Sequence, residues 1–222
     1  MPRPFDLLPA LLDGLVVTIE VTVLAALLGL LMSFLAGLAQ RSRRRPVRAL
    51  ARVYVEIFRG TSALVQLFWV YFALPLLGVE FTALAAAVVV LGLNAGAYGA
   101  EIVRGAIAAV PPGQYEAALV LGLSERQTLR RIVVPQALLA TLPPFGNLLI
   151  ELLKNTALVS MITLTDLTFE GQLLRASSLR TVEIFGLVLV LYFLVAQAFT
   201  AALRTLERRL AARRGIHGRS LL

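Results

Sequence analysis

A chain that sets long, unbroken apolar runs between tight clusters of arginine has few folds open to it. Residues 15–39 hold a single ionisable side chain, Glu20. As a helix this run would extend about 37 Å, enough to cross the roughly 30 Å hydrocarbon core of a bilayer. It is too long for the apolar centre of a secretory signal, and no small-residue cleavage pattern closes it. Comparable runs follow at residues 53–79, 81–110, 136–156 and 183–206. The fourth is expected to break at Pro143-Pro144 and again at Lys154-Asn155-Thr156, then continue through residues 157–174 as a polar-interrupted segment. Hydrophobic residues make up 59% of the 222, with a mean hydropathy of +0.83, against about 45–50% in an ordinary soluble domain. Lipid offers backbone groups no partners, so such runs must be helical. The expectation is an all-α, polytopic membrane bundle of about five transmembrane helices. It forms one transmembrane domain over residues 1–222, with no soluble domain attached.

The basic residues sharpen this map. Arg41, Arg43, Arg44, Arg45, Arg48 and Arg52 follow the first run, Arg126, Arg130 and Arg131 sit after the third, and Arg204, Arg208, Arg209, Arg213, Arg214 and Arg219 close the chain. These segments hold 15 of the 21 basic residues, against Arg3, Arg175 and Arg180 in the opposite segments. Arginine-rich loops stay on the cytoplasmic side. The count predicts an outer N-terminus, five passes and a cytoplasmic basic tail over residues 204–222. The net charge of +8 therefore reports topology, and no aromatic-rich basic surface points to nucleic acid. With no cysteine and one histidine, His217, neither a thiolate or histidine metal site nor a Ser-His-Asp triad is expected. No phosphate-binding G-x-x-x-x-G-K-[ST] loop is present, so active transport would need energy from elsewhere.

Between the third and fourth runs lies a polar insertion, residues 111–135. Pro111, Pro112 and Gly113 detach it from the run before. It reads as a short helix over residues 115–121, a turn at Gly122, an N-cap at Ser124 with Gln127 completing a capping box, and a second helix stopped by Pro135. Two polar helices are costly to place in lipid, so they belong in water.

The spacing Glu116-Ala117-Ala118, Gly122, then Ile132-Val133-Val134-Pro135 resembles the EAA loop of bacterial ABC importer permeases, with Val134 where leucine is usual. Other stretches are similar to the polar amino acid branch of that family: Tyr54-Val55-Glu56 with Arg59-Gly60-Thr61-Ser62 and Gln66, where Ser62 replaces the usual proline; Leu93-Asn94-Ala95-Gly96-Ala97-Tyr98 with Glu101 and Arg104-Gly105; Pro135-Gln136-Ala137-Leu138 with Pro143-Pro144 and Asn147; and Leu153-Lys154-Asn155-Thr156 with Leu158-Val159-Ser160. The resemblance covers about residues 12–210. It implies a type I ABC importer permease fold with a cytoplasmic coupling helix, in a bacterial inner (plasma) membrane. It also implies the partners: an ATP-binding cassette ATPase subunit, an extracytoplasmic solute-binding protein, and a second permease subunit, identical or not. ATP and magnesium would sit on the ATPase, leaving no cofactor on this chain. Glu116, Ala117, Ala118 and Gly122 would form the coupling surface, the alanines permitting close docking. The resemblance leaves the amino acid unspecified, although acids near a cavity lean toward basic side chains. A stand-alone secondary amino acid transporter or channel is the alternative, and an intramembrane enzyme is disfavoured because no catalytic constellation exists.

Ionisable groups among apolar residues mark candidate sites, because a charge at a helix centre costs about 2.5–3.5 kcal/mol for Asp, Lys or Arg. Glu20, Glu56, Glu101, Glu151 and Asp166 are the acids. Glu56 with Arg59 and Glu101 with Arg104 have the i,i+3 spacing of internal ion pairs. Asp166 follows the broken stretch 154–165 and is the leading candidate to hold a substrate ammonium or cationic side chain, the resemblance implying an acid at the matching position. Its alternative role is the cap of a following helix. Glu101, Tyr98, Asn94, Gln66 and Ser160 complete the candidate substrate site, each of the last four equally able to be an interhelical hydrogen-bond partner. Trp69 and Tyr71 read as interface anchors.

Overall fold

The computed structural model describes residues 7–213, with side chains to residue 209. Arg3, Arg214, His217, Arg219 and the end of the basic tail lie outside the described residues. Nine α-helices make up the described chain: α1 (Leu8–Ala39), α2 (Arg45–Gly60), α3 (Ala63–Phe68), α4 (Ala83–Ala108), α5 (Pro112–Val120), α6 (Glu125–Thr128), α7 (Val134–Asn155), α8 (Leu167–Ser178) and α9 (Thr181–Arg213). Four helical stretches are long and apolar enough to cross a membrane, and α2 with the helical stretch from α3 to Leu77 makes a fifth pass bent by 103°.

The second pass thus starts at Arg45 rather than Val53, and it is broken in the middle. At Thr61 and Ser62 the backbone turns extended. A helix end in lipid leaves its last carbonyls without partners. Here three side chains supply donors: Thr61 Oγ1 to Ile57 O (2.7 Å), Gln66 Nε2 to Phe58 O (3.1 Å) and Asn94 Nδ2 to the same Phe58 carbonyl (2.9 Å). Beyond α3 the chain winds through a π-turn (Trp69–Ala73) and a 3-10 turn (Leu74–Leu77), and ends at Gly78 in the left-handed region, φ +83°.

Small residues set the centre of the bundle. Helix α1 runs beside α4 in parallel, so an odd number of crossings separates them: Gly29 lies against Gly92 and Ala95, and Gly37 against Ala100 and Val103. A Cβ added at Gly96 would come within 2.6 Å of Met32 Cβ and 2.7 Å of the Tyr54 hydroxyl. Lipid tails are as apolar as leucine, so close backbone approach, not hydrophobic gain, holds such helices together. Val21, Ala25, Ala86, Ala87, Val90 and Leu67 fill the adjoining core. Helix α4 is the most buried of the spans and α9 the least.

Two prolines behave differently from the sequence expectation. Pro135 does not stop the chain, because a π-turn (Leu129–Val133) widens the backbone and leads directly into α7, where Pro135 sits in the first turn and needs no N–H. Pro143 and Pro144 lie inside α7, which continues through them. Thr141 donates its hydroxyl to Leu138 O at 2.7 Å in the turn whose hydrogen-bond ladder the prolines interrupt. The break at the end of α7 is real: a 3-10 turn (Thr156–Ile162) closes at Thr163 with φ +62°.

Candidate functional site

Three places concentrate polar chemistry, and they are distinct. The first is a cleft between α4 and α7, lined by Leu91, Asn94, Ala95 and Tyr98 from α4 and by Leu148, Glu151, Leu152 and Asn155 from α7. Each helix offers residues at i, i+3, i+4 and i+7, one continuous face. Asn94 commits its Nδ2 to Phe58 O and, at 3.4 Å, to Gln66 Oε1, and its Oδ1 stays unbonded. Glu151 is exposed and makes no ion pair or hydrogen bond among the described residues. A carboxylate left open on a membrane-spanning helix must face water, protein or a cationic ligand.

Toward the α5 end of α4 this cleft meets a charged network. Glu101 accepts from Arg104 Nη2 (2.6 Å) and Nε (3.0 Å) and from Gln40 Nε2 (3.2 Å). Arg59 stands 4.0 Å from the same carboxylate and lies over the Tyr98 ring at 5.2 Å. The Glu101–Arg104 pair forms as expected. Glu56 does not pair with Arg59; it is exposed, and Arg59 turns to Glu101 and Tyr98 instead.

The second place holds Asp166, and here the geometry corrects the leading expectation. Asp166 is 0% exposed. Its carboxylate caps α8, accepting from Phe169 N (2.9 Å) and Thr168 N (3.2 Å), and takes a third bond from the Tyr192 hydroxyl (3.3 Å). Thr18 of α1 accepts from Leu167 N at 3.0 Å, and a Cβ on Gly14 would lie 2.8 Å from Asp166 O, so α1 seals the cap. Asp166 lies outside the spanning helices; burial pushes its carboxyl up to about 6, against the downward pull of the Phe169 and Thr168 amides. Nothing remains of it to reach a solute in this conformation. Ser160 is likewise used internally, donating to Ala157 O (2.8 Å) and meeting Gln172 Nε2 at 3.5 Å. Gln66 serves the broken helix α2 and lies outside the cleft. Of the six expected substrate residues, the fold gathers Asn94 and Tyr98 in the cleft with Glu101 beside them, and it adds Glu151 and Asn155. The matching i, i+3, i+4, i+7 patterns in α4 and α7 were the available signal for the last two.

The third place is the polar elbow. Helix α5 starts at Pro112, and Gly122 turns the chain with φ +69°. Ser124 and Gln127 form both bonds of the capping box, Gln127 N to Ser124 Oγ at 3.3 Å and Ser124 N to Gln127 Oε1 at 2.9 Å. Glu116, Ala117 and Gly122 are exposed, but Ala118 is fully buried, so its small side chain serves packing within the chain and not docking. The exposed surface instead includes Leu119 (76%), Val120 (87%) and Leu121 (73%). Three adjacent exposed apolar side chains on a polar elbow mark an interaction site. Tyr115 and Leu129 anchor the elbow on Ile107, Val110 and Val133, at the facing ends of α4 and α7. Arg43, in the loop after α1, pairs with Glu125.

A model of the inner membrane component of binding-protein-dependent transport systems matches residues 15–212. The chain is 44% identical over 216 residues to a probable amino-acid ABC transporter permease of Sinorhizobium fredii, covering 95% of this chain and 91% of that one. It is 38% identical over 205 residues to the glutamine transport system permease of Escherichia coli, covering 91% and 94%. Among solved structures, an amino acid ABC transporter crystallised with histidines aligns with a TM-score of 0.87 at 36% identity, covering 92% of this chain and 96% of that one. The inward-facing MetNI methionine ABC transporter, at 22% identity and a TM-score of 0.77, shares the fold. The cleft, the capped broken helices and the anchored elbow therefore belong to a member of the family of inner-membrane components of binding-protein-dependent transport systems.

Proposed function

We propose that this chain is the permease subunit of an ATP-driven importer of polar or charged amino acids. The observation that carries it is the elbow: an exposed apolar strip, Leu119 to Leu121, beside Glu116 and Ala117, on a helix anchored to α4 and α7. The strip docks on a separate ATPase subunit, which binds and hydrolyses the ATP. A push on α5 passes through Tyr115 and Leu129 to the facing ends of α4 and α7, the two helices that line the cleft. Such a shift favours one of two arrangements of the cleft. An extracytoplasmic binding protein delivers the amino acid, and two permease subunits enclose its path. The elbow and the arginine loop face the cytoplasm, with the start of α1 outside.

In the cleft, Glu151 supplies the negative charge for an ammonium or cationic side chain, and Asn94 Oδ1 and the Tyr98 hydroxyl complete the polar lining. Names of the relatives support the amino acid class. The test is co-purification with the ATPase in mild detergent, followed by uptake of labelled amino acids in proteoliposomes holding the complex and its binding protein. Gly122→Asp should leave the chain folded and abolish uptake, since the turn lies open with no atom near a new Cβ. Uptake by this chain alone, without ATPase, would instead establish the stand-alone transporter.

A further inference from the structure

Helix α2 has three faces, and only one of them is occupied by the bundle. Ala51 and Val55 are buried, Val55 packing with Ala36 and Ala100. A second face exposes apolar side chains: Val47, Leu50 (73%), Val53 and Ile57. The third carries Arg45, Arg48 and Arg52 at i, i+3 and i+7. Arg45 and Arg52 are exposed, and Arg48 is half-buried, reaching Ser42 O at 3.4 Å. None of the three makes an ion pair among the described residues, in contrast to Arg43, which Glu125 neutralises. Arg45 lies about 15 Å along the helix from Val55, and Val55 packs near the elbow end of α4. The arginines therefore emerge where the bundle leaves the hydrocarbon, with the exposed apolar face beside them.

A helix with an apolar face in the acyl boundary and an adjoining cationic face fits the surface of an anionic leaflet. The residue type adds to this. All of the chain's basic residues except Lys154 are arginines, and a guanidinium grips phosphate oxygens bidentately where an ammonium meets them at one point. We propose that Arg45, Arg48 and Arg52 bind the phosphate of anionic phospholipids, with Leu50 and Val53 against the acyl chains. Acidic side chains of a protein partner would leave the exposed Leu50–Val53 face unexplained, whereas a phospholipid meets both faces with one molecule.

The proposal requires only that the chain spans a membrane, not that it carries amino acids. It is tested on the full-length chain by native mass spectrometry from micelles holding equal phosphatidylglycerol and phosphatidylcholine. Wild type should retain the anionic lipid at least fivefold over the zwitterionic one. The combined R45Q, R48Q and R52Q variant should fall to parity. The matching R45K, R48K and R52K variant, which keeps the charge, should retain a reduced preference. Removing equal charge from the elbow, R126Q with R130Q and R131Q, should change nothing. Parity in the wild type, or an unchanged preference in the glutamine variant, overturns the proposal. So does an equal loss in the elbow variant, which would reduce the effect to net charge. Loss of a co-purifying protein from the glutamine variant, with lipid retention unchanged, would give this face to a protein partner.

Discussion

Asp166 and Glu151 are both acids set among apolar residues, and the fold treats them in opposite ways. Asp166 is sealed by α1, and its oxygens are taken by two amides and the Tyr192 hydroxyl. Glu151, on a regular helix with no cap to make, is left open on the cleft beside Asn94 and Tyr98. A carboxylate at a helix start has backbone donors waiting for it, because the first turn's N–H groups have no intrahelical partners. A carboxylate in mid-helix has none, so whatever satisfies it must come from outside the backbone. Among acids in a membrane protein, position relative to the helix end thus separates a structural charge from one available to a solute.

This contrast can be broken most sharply at Glu151. Glu151→Gln should lower uptake at least tenfold while shifting the melting temperature in detergent by no more than about 1 °C, since exposed substitutions seldom exceed about 0.5 kcal/mol. Full uptake by this variant would end the distinction. Asp166→Ala should act the other way round. Losing a cap costs about 0.5–2 kcal/mol, and here the Tyr192 hydroxyl also loses a partner, so the melting temperature should fall by several degrees. Asp166→Asn keeps an acceptor for the two amides, and uptake should stay within about twofold of wild type. Were the asparagine variant inactive but stable, the charge of Asp166 would have to meet the solute after all.

The smallest expected effect is a pH slope. Asp166 titrates at about 6 in the fold, against 3.8 for an ordinary aspartate. Between those values the folded chain holds a proton that the unfolded chain has released. Its contribution to stability is complete below pH 3.8, declines as pH rises through about 6, and is flat above that. Thermal melts from pH 4.5 to 7.5 should show this decline in the wild type and not in Asp166→Asn. A constant offset between the two across that range would contradict the raised value.

Much of this was legible in the residues before any coordinates. The apolar runs located four of the five passes closely, and the capping box at Ser124 and Gln127 formed as read. The misses have a common cause. Proline was read by its local rule at Pro135 and at Pro143-Pro144, but a π-turn and interior helix geometry absorbed the missing donors. Gly60-Thr61-Ser62 held no proline to announce a break, and the 103° bend depends on Gln66 and Asn94 reaching the freed carbonyls from elsewhere in the chain. Ala118 was read as a docking residue from its motif, and only packing shows that it points inward.

What the sequence alone determined is therefore the medium and the family. Hydrophobic length, arginine bias and motif spacing are properties of a chain read one stretch at a time, and lipid leaves an apolar run little choice but helix. Which acid is spent and which is open, which glutamine caps a broken helix and which asparagine lines the cleft were decided by the tertiary structure. The physical reason is that a polar group in a membrane protein takes its meaning from its partner, and the partners here lie tens of residues away: Asn94 and Phe58, Tyr192 and Asp166, Thr18 and Leu167.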